Sequence, residues 1–556
     1  MEKIMSEITV RDISGNEIRT YYGTPAGEAL EKLDIIDKNR ILAGVRINNE
    51  VYNLKLRLTV SSTLEPVYLD SYSGGRIYRS TFCFLLNMVS KEIFPDWRLV
   101  IGNSVSNNYN FYYENISDVS VEDLQRLEEG IRAKVAENLP INHSMLSYED
   151  AEKFFREQGM EGASLLIKYK NEPVININTC GNYADLAHTP LMPSTGELKH
   201  FRMMCYHQGF LVSLPKMGTV DEIPIFKDVP VLTSIFQESR KKGQILKFSN
   251  VGELNAYIAS GKERDAILMC EMMHNLKIAE AAARIKERHG VKVVLIAGPS
   301  SSGKTTFIKK LSTQLQLLGF NPLALSLDDY YVPRLQTPKN EKGEYDYECL
   351  EAIDINVLNK DLLAFFEGKE VELPYYNFKT GLREYNGNTI KDSENAILLI
   401  EGIHGLNDRL TYQIPAEAKF KIYISALTQM NLDDHNRIHT TDNRLLRRMI
   451  RDFKYRGRSA AETIKHWRAV REGEEKYIFP FQNNADFAFN SALDYELAVL
   501  KIFASPLLKS IKPHQREYGE ARRLQNLLKN FMNIQPLYVS SSSLLREFIG
   551  DSIYKY

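Results

Sequence analysis

A run of glycine, serine, lysine and threonine near the middle of the chain has the spacing of a phosphate-binding loop. It matches G-x-x-x-x-G-K-[ST] with Gly298-Pro299-Ser300-Ser301-Ser302-Gly303-Lys304-Thr305. Glycines let backbone N–H groups turn inward around phosphate oxygens, the lysine reaches the β- and γ-phosphates, and the threonine hydroxyl suits Mg²⁺. Typical residue frequencies give about 0.02 chance matches in a chain of this length. The predicted nucleotide-binding residues are Gly298, Ser300, Ser301, Ser302, Gly303, Lys304, Thr305 and Thr306.

Two carboxylates follow apolar runs further along the chain. Asp328 comes directly after residues 323–327, and Glu401 directly after residues 397–400. Ligands of open α/β sheets bind beyond the carboxyl ends of the strands. Asp328 is therefore placed to accept a proton from an attacking hydroxyl, and Glu401 to hold Mg²⁺. The alternative for each is an ordinary polar residue that ends a strand or caps a turn.

Residues 444–458 form a strongly basic segment, with six arginines, one lysine and one aspartate, a net charge of +6. Helical spacing places Arg444, Arg448 and Arg451 on one face. A solvated helix or a nucleic-acid-binding patch would explain the charge. In a chain with a phosphate-binding loop we favour a lid, whose arginines close over the transferring phosphoryl group.

Continuous apolar runs separated by helical segments predict the elements that position these groups. The runs are residues 291–298, 323–327, 397–400 and 420–426. Such runs are typical of strands buried on both faces of a parallel sheet. Strand–helix alternation of this kind predicts a doubly wound α/β domain.

Together these blocks resemble the uridine kinase and phosphoribulokinase family of P-loop kinases over residues 291–500. The matching text is GPSSSGKTT, SLDDYY, PYYNF with Arg383, IEGIHGL, and RRMIRDFKYRGR followed by a strand around 485–490. The resemblance implies a P-loop kinase domain, which we place at residues 286–556. It implies ATP (or GTP) and Mg²⁺, and transfer of the γ-phosphoryl group to a small-molecule hydroxyl, the 5′-OH of a ribonucleoside in the family's uridine kinases.

The resemblance also implies a role for each matched residue. Asp328 matches the catalytic base, Lys304 binds phosphate, and Thr305 and Glu401 hold Mg²⁺. The positions of the nucleoside pocket are Tyr331, Tyr376 and Arg383, with Arg448 of the lid also on the substrate. The remaining lid arginines, which act on the transferring group, are Arg451, Arg456 and Arg458.

One position departs from the family pattern. Uridine kinases usually carry a histidine five residues after the tyrosine of P-x-Y-[DN]-F, where it contacts the base. Here that position is Gly381. This departure does not affect the residues that transfer the phosphoryl group. It leaves the acceptor undecided, and sugars and sugar phosphates are alternatives to a ribonucleoside.

The N-terminal half resembles the start of threonyl-tRNA synthetases. Residues 1–62, a β-rich unit, resemble the TGS domain, and residues 63–215 resemble the α+β second additional, or editing, domain. The matching text includes IFPDWRLVIGNSV, FYYE, YEDAEKFF and YADLAHTPLMPSTGELKHF. Residues 216–285 read as a helical connector.

The family's editing chemistry needs an HxxxH pair, a cysteine and a further histidine, and this chain lacks that set. The matching positions hold Arg79, Cys83, Ala187 and Leu191. Such residues cannot assemble a metal site of the family type. A second pair, His435 and His439, has metal-binding spacing without a third ligand, so no zinc is expected.

Composition limits the remaining possibilities. The 556 residues carry 70 basic and 71 acidic side chains, which argues against a chain-wide polyanion binder. The five cysteines form no CxxC pair, and no apolar stretch suits a signal peptide or a membrane span. We therefore expect a cytoplasmic protein that is not membrane-bound.

A second functional class stays open beside the kinase. The TGS resemblance would also suit a nucleotide-switched protein that binds RNA or the ribosome through its N-terminal half. The lid and the Asp328 block argue for phosphoryl transfer, which a pure binder would not need. Oligomerisation is possible on the sequence alone.

Overall fold

The computed structural model describes residues 7–106, 108–341 and 343–555. None of the helices in these ranges combines the length and the apolar run that crossing a bilayer takes.

The first unit is a five-stranded sheet with one helix against it. Its elements are β1 (Glu7–Arg11), β2 (Glu17–Tyr21), α1 (Ala26–Lys32), β3 (Leu42–Ile47), β4 (Glu50–Tyr52) and β5 (Ser62–Tyr68), in the strand order β2-β1-β5-β3-β4. Asn48 and Asn49 turn the β3–β4 hairpin with positive φ angles of 48° and 70°, as two-residue hairpin turns require. Because β5 lies at the centre of this sheet, the unit extends beyond residue 62, where the sequence placed its end.

The second unit combines helices with two small antiparallel sheets. Its elements are α2 (Tyr72–Ile93), β6 (Leu99–Val105), β7 (Asn108–Tyr113), α3 (Val121–Glu137), β8 (Asn142–Ser147), α4 (Tyr148–Glu157), α5 (Glu161–Lys168), β9 (Val174–Cys180), β10 (Tyr183–Leu186), β11 (Arg202–Tyr206) and β12 (Gly209–Ser213). The sheets have the orders β10-β9-β8 and β11-β12-β7-β6. The long, largely buried helix α2 packs on both the first unit and α3.

Three helices follow: α6 (Pro230–Leu246), α7 (Val251–Ala259) and α8 (Glu263–Glu287). Helix α8 buries Ile278, Ala282 and Ile285, which share one face of the helix, in the same core as Val294 of the next unit. The segment predicted as a connector is therefore packed into the C-terminal unit over much of its length.

The C-terminal unit is built on a parallel sheet. Its strands are β13 (Val293–Ala297), β14 (Asn321–Ser326), β17 (Ala396–Glu401), β18 (Lys419–Ser425) and β19 (Phe487–Asn490), and a separate hairpin is formed by β15 (Val371–Asn377) and β16 (Leu382–Ile390). The strand order in the parallel sheet is β14-β17-β13-β18-β19. The helices are α9 (Lys304–Leu317), α10 (Ile355–Phe366), α11 (Thr440–Arg456), α12 (Ala460–Tyr477), α13 (Glu496–Ser510), α14 (Tyr518–Lys529) and α15 (Arg546–Ile549).

Every residue of the central strand β13 is buried, because helices cover both faces of the sheet. This is the doubly wound α/β architecture that the apolar runs predict. The strands β13, β14 and β17 are parallel and adjacent, so the residues that follow them meet at one edge. Those residues are the phosphate-binding loop, Asp328 and the end of β17 at Glu401.

Candidate active site

The phosphate-binding loop connects β13 to α9. Gly303 has φ +84°, and a side chain at Gly298 would fall 2.0 Å from the carbonyl oxygen of Ile424, so both positions require glycine. Lys304 begins α9, and its Nζ donates hydrogen bonds to the carbonyl oxygens of Gly298 (2.9 Å) and Pro299 (3.3 Å). The lysine therefore folds back over the loop, where it can meet a phosphate.

Several loop side chains have unused hydrogen-bonding capacity. The hydroxyls of Ser301 and Ser302 are enclosed and have no hydrogen-bond partner among the described residues. Buried hydroxyls are normally satisfied, so an unfilled pair in a phosphate-binding loop suits a ligand rich in oxygen atoms.

Lys304 shares its surroundings with carboxylates from three elements. Burial lowers the pKa of the Lys304 ammonium, and the charges of Glu401, Glu547 and Asp328 raise it. Burial raises the pKa of Asp328, against the lowering effects of Lys304 and Arg456. The sequence-predicted base and phosphate-binding lysine are therefore brought together, with the base in a buried site that raises its pKa.

Glu401 has the features of a cation ligand. Its Oε2 atom is enclosed and lacks a hydrogen-bond partner among the described residues. Burial, together with the charges of Asp328 and Glu547, raises its pKa to about 7 against the lowering effect of Lys304. A bound divalent cation would satisfy that oxygen and offset the negative charge.

No group of three or more His, Cys, Asp or Glu side chains in the described ranges is arranged for a metal. Mg²⁺ at kinase sites, however, needs only one or two protein ligands beside phosphates and water. Glu401 and Thr305 thus fit the ion.

An aromatic pocket adjoins Asp328. The rings of Tyr331 and Tyr376 meet at 5.5 Å, and that of Phe378 lies 5.0 Å from Tyr376. Burial raises the pKa of the Tyr376 hydroxyl, and a hydrogen bond with the Arg334 side chain lowers it. Arg383 lies opposite Tyr376 in the β15–β16 register. The three residues assigned to the nucleoside pocket are therefore neighbours.

Two details of this pocket were not visible in the sequence. Arg383 is paired with Asp354 at 2.9 Å, which fixes the guanidinium at the pocket wall. Gly381 has φ +73°, and a side chain there would meet Arg334 at 2.8 Å. Arg334 thus occupies the space in which a longer residue at position 381 would lie, and its side chain donates to the carbonyl oxygen of Phe378.

The predicted lid consists of α11 and the turn that follows it. Buried Asp452 pairs with Arg448 (3.3 Å), Arg451 (3.0 Å) and Arg456 (3.4 Å), so one carboxylate holds three lid arginines. Arg448 also donates to the hydroxyl of Ser300 in the loop at 2.6 Å.

Of the three remaining arginines of the segment, one is exposed and two are buried; Arg447 is buried and paired with Glu496. Arg458 is exposed beyond the helix end. Arg444 is fully buried and paired with Glu474, and its Nε donates to the carbonyl oxygen of Ser300 at 3.0 Å. The expectation that Arg444 lines a mobile lid face is therefore wrong, because burial with a carboxylate makes it a fixed support of the loop.

Two further carboxylates contact the loop, and sequence reasoning missed both. Glu474 of α12 accepts the backbone N–H of Ser300 at 3.0 Å. Glu547 of α15 accepts the backbone N–H of Thr306 at 3.1 Å and its hydroxyl at 2.7 Å. Neither lies in a recognisable motif, and each is more than a hundred residues from its partner, so no local signal could have revealed them.

The four positions that would hold the editing-type site, Arg79, Cys83, Ala187 and Leu191, line one cavity. Cys83 is partly buried, and burial raises its pKa to about 12. His188 instead pairs with Asp433 of the C-terminal unit at 3.1 Å, and His435 pairs with Asp185 of the second unit at 3.1 Å. These reciprocal pairs join the two units.

Comparisons with known proteins address the parts of the chain separately. Residues 293–498 match the model of the Phosphoribulokinase / Uridine kinase family. The C-terminal unit therefore contains a domain of this family, which confirms the resemblance read from the motifs. The uridine kinase of Ureaplasma urealyticum is 28% identical over 195 residues, covering 35% of this chain and 85% of that protein.

The N-terminal half matches threonine–tRNA ligases. Those of Acetivibrio thermocellus (30% identity, 36% of this chain, 31% of that protein) and Desulforamulus reducens (26% identity, 45% and 40%) are examples. The chain thus spans less than half the length of these ligases. Among solved structures, that of a possible uridine kinase from Bacillus stearothermophilus covers 38% of this chain and 97% of its own, at 21% identity and a TM-score of 0.26.

Proposed function

We propose that the protein is a small-molecule kinase, which transfers the γ-phosphoryl group of ATP (or GTP) to a hydroxyl, the 5′-OH of a ribonucleoside being the favoured acceptor. The observation that carries the proposal is the convergence of Lys304, Asp328 and Glu401 where three parallel strands end. A nucleotide-binding switch would need the loop but not a buried base beside an aromatic pocket.

In this proposal Asp328 accepts the proton of the acceptor hydroxyl as that oxygen attacks the γ-phosphorus. The raised pKa of the carboxylate strengthens it as a base, and the charge of the nearby Lys304 favours its ionised form. Lys304 and the loop N–H groups hold the phosphates in line with the attacking oxygen. Arg451, Arg456 and Arg458 reduce the negative charge that builds up on the transferring group, while Arg448 positions the loop and the acceptor.

Thr305 and Glu401 would hold Mg²⁺, which supplies charge neutralisation between the phosphates when it is bound. Tyr331 and Tyr376 would flank the acceptor, with Arg383 held beside them by Asp354. Arg334, which stands in the space next to Gly381, gives this pocket a cation where the family pattern has histidine. That change keeps a sugar or sugar phosphate as the alternative acceptor.

The test is ADP release from ATP·Mg²⁺ across a panel of nucleosides, sugars and sugar phosphates, with Lys304→Ala as the matched inactive variant. Acceptor-dependent turnover that Lys304→Ala removes would support the kinase and name its acceptor. Tight ATP binding without turnover on any acceptor would contradict it and favour the nucleotide-switched alternative. RNA binding by the N-terminal half and oligomerisation stay predictions.

A further inference from the structure

A large cavity of about 1560 Å³ lies between the second unit and the kinase domain. Its wall includes Arg79 and Cys83 of α2, Tyr109 of β7, and Arg437 from the segment that leads into α11. The volume exceeds the roughly 300–1,000 Å³ of most small-molecule sites. Residues 298–305 are not part of the wall, so the cavity is separate from the phosphate-binding loop.

Arg79 and Arg437 stand beside the same aromatic ring. Their guanidinium carbons lie 5.7 Å and 5.6 Å from the centre of the Tyr109 ring. Arg437 donates to the hydroxyl of Ser104 at 2.6 Å, and Arg79 donates to the carbonyl oxygen of Pro215 at 2.9 Å. The Nε of Arg79 is enclosed and has no hydrogen-bond partner among the described residues.

Neither guanidinium has a carboxylate partner in the described ranges. Burial lowers the pKa of Arg437, and the groups that raise it are Tyr109 and Cys83. Burial raises the pKa of the Cys83 thiol to about 12, so this group does not offset the charge. The two positive charges are partly buried and lack an anionic partner among the described residues, an arrangement that charges removed from water normally avoid.

The acidic residues near this part of the wall are engaged elsewhere. Asp185 pairs with His435 and accepts the hydroxyl of Tyr183. Asp442 pairs with Arg523 at 2.6 Å. Side-chain rearrangement of Asp185 or Asp442 toward Arg79 or Arg437 would break these pairs.

We propose that Arg79 and Arg437 bind the phosphate group of a small phosphorylated molecule in this cavity. A phosphate monoester carries a charge near −2 at pH 7 and three acceptor oxygens, which match two guanidiniums, whereas one carboxylate would leave one charge unpaired. The rest of the cavity accommodates the remainder of the molecule. The presence of Arg79, where the editing family has a metal-binding histidine, makes the position suited to an anion.

Inorganic phosphate is the first probe, and thermal unfolding of the full chain is the measurement. Since phosphate also binds phosphate-binding loops, the assay uses the Lys304→Ala variant as its background. Sodium phosphate is expected to raise the midpoint of unfolding in a saturable way. Sodium chloride or acetate at the same ionic strength is expected to leave it unchanged. Adding Arg437→Gln or Arg79→Gln is expected to weaken the apparent phosphate affinity by about tenfold or more.

The matched control is Arg468→Gln, because Arg468 lines the same cavity but is exposed and paired with Glu472. This variant should keep the full phosphate effect. Without phosphate, Arg437→Gln should unfold at the same temperature as its parent or higher, because it removes an uncompensated charge. A phosphate effect that survives both glutamine substitutions would overturn the proposal. So would one that acetate reproduces, or one that Lys304→Ala alone abolishes.

Discussion

The carboxylate of Glu547 accepts two hydrogen bonds from Thr306, one from its backbone N–H at 3.1 Å and one from its hydroxyl at 2.7 Å. Thr306 lies in the first turn of α9, where the helix dipole and free N–H groups favour an anion. Leu544, three residues earlier, lies against Gly303 of the loop. The C-terminal segment thus brings a negative charge to the place where the loop would receive a phosphate.

We predict that Glu547→Gln tightens the binding of ATP. The amide keeps an acceptor for Thr306 but removes the charge that opposes the incoming phosphates, and the expected gain in affinity is roughly three- to tenfold. Isothermal titration of ATP into the full-length protein measures it. Glu517→Gln, in the same C-terminal region but outside the loop contacts, serves as the control. Weaker ATP binding in Glu547→Gln would mean that the carboxylate orders the loop instead of competing with the nucleotide.

Asp328→Asn tests the base directly. Asparagine keeps the size of the side chain but cannot accept the hydroxyl proton, so kcat is expected to fall by about 10²- to 10⁴-fold while ATP still binds. Because burial raises the pKa of Asp328 and the base must be ionised, wild-type kcat/KM should fall with decreasing pH at a midpoint above the ordinary aspartate value. Steady-state rates close to wild type in Asp328→Asn would remove this residue from the base role.

The sequence predicted the parts of the site that depend on local order. The loop and Asp328 follow parallel strands and Glu401 ends the strand between them, so the strand pattern alone brings them to one edge. Glu474 and Glu547 depend on how distant helices pack, which no spacing rule records. For Arg444, helical spacing predicted the face of α11 on which the residue lies. It did not predict that the side chain is buried in an ion pair with Glu474.

The sequence also did not predict how the units pack on one another. The residues at the HxxxH positions predicted that a metal site of the family type would not form, but not that His188 and His435 would pair across the interface with Asp433 and Asp185. From sequence alone, a histidine can be a metal ligand, a member of a buried ion pair or a surface residue. Only the groups that surround it in the fold decide between these roles.

The lid arginines are expected to differ in importance. Both Arg456 and Arg458 are exposed, but only Arg456 lowers the pKa of Asp328 and pairs with Asp452 among the described residues. Arg456→Gln should therefore reduce kcat by about 10²-fold and more strongly than Arg458→Gln. It should also move the acid limb of the kcat/KM profile to higher pH, since a positive charge that favours the ionised base is lost. Equal effects of the two substitutions, with no shift of the acid limb, would contradict this ranking.

The ion pair between Asp185 and His435 predicts how stability depends on pH. Burial lowers the pKa of His435, but Asp185, Asp434 and Asp433 raise it more, to about 9. A folded-state pKa above the unfolded value of about 6.5 means that the contribution is fully present below pH 6.5 and is lost as the pH rises through 9. The contribution is on the order of 1–3 kcal/mol.

Urea unfolding at several pH values measures this contribution. Wild-type stability should decline between pH 6.5 and 9 more steeply than that of His435→Gln. The matched control is His439→Gln, because burial lowers the pKa of His439 to about 3 and the residue stays neutral over this range. His439→Gln should therefore keep the wild-type slope. If His435→Gln keeps it as well, the imidazolium does not hold the second unit to the kinase domain, and the interface depends on its apolar contacts instead.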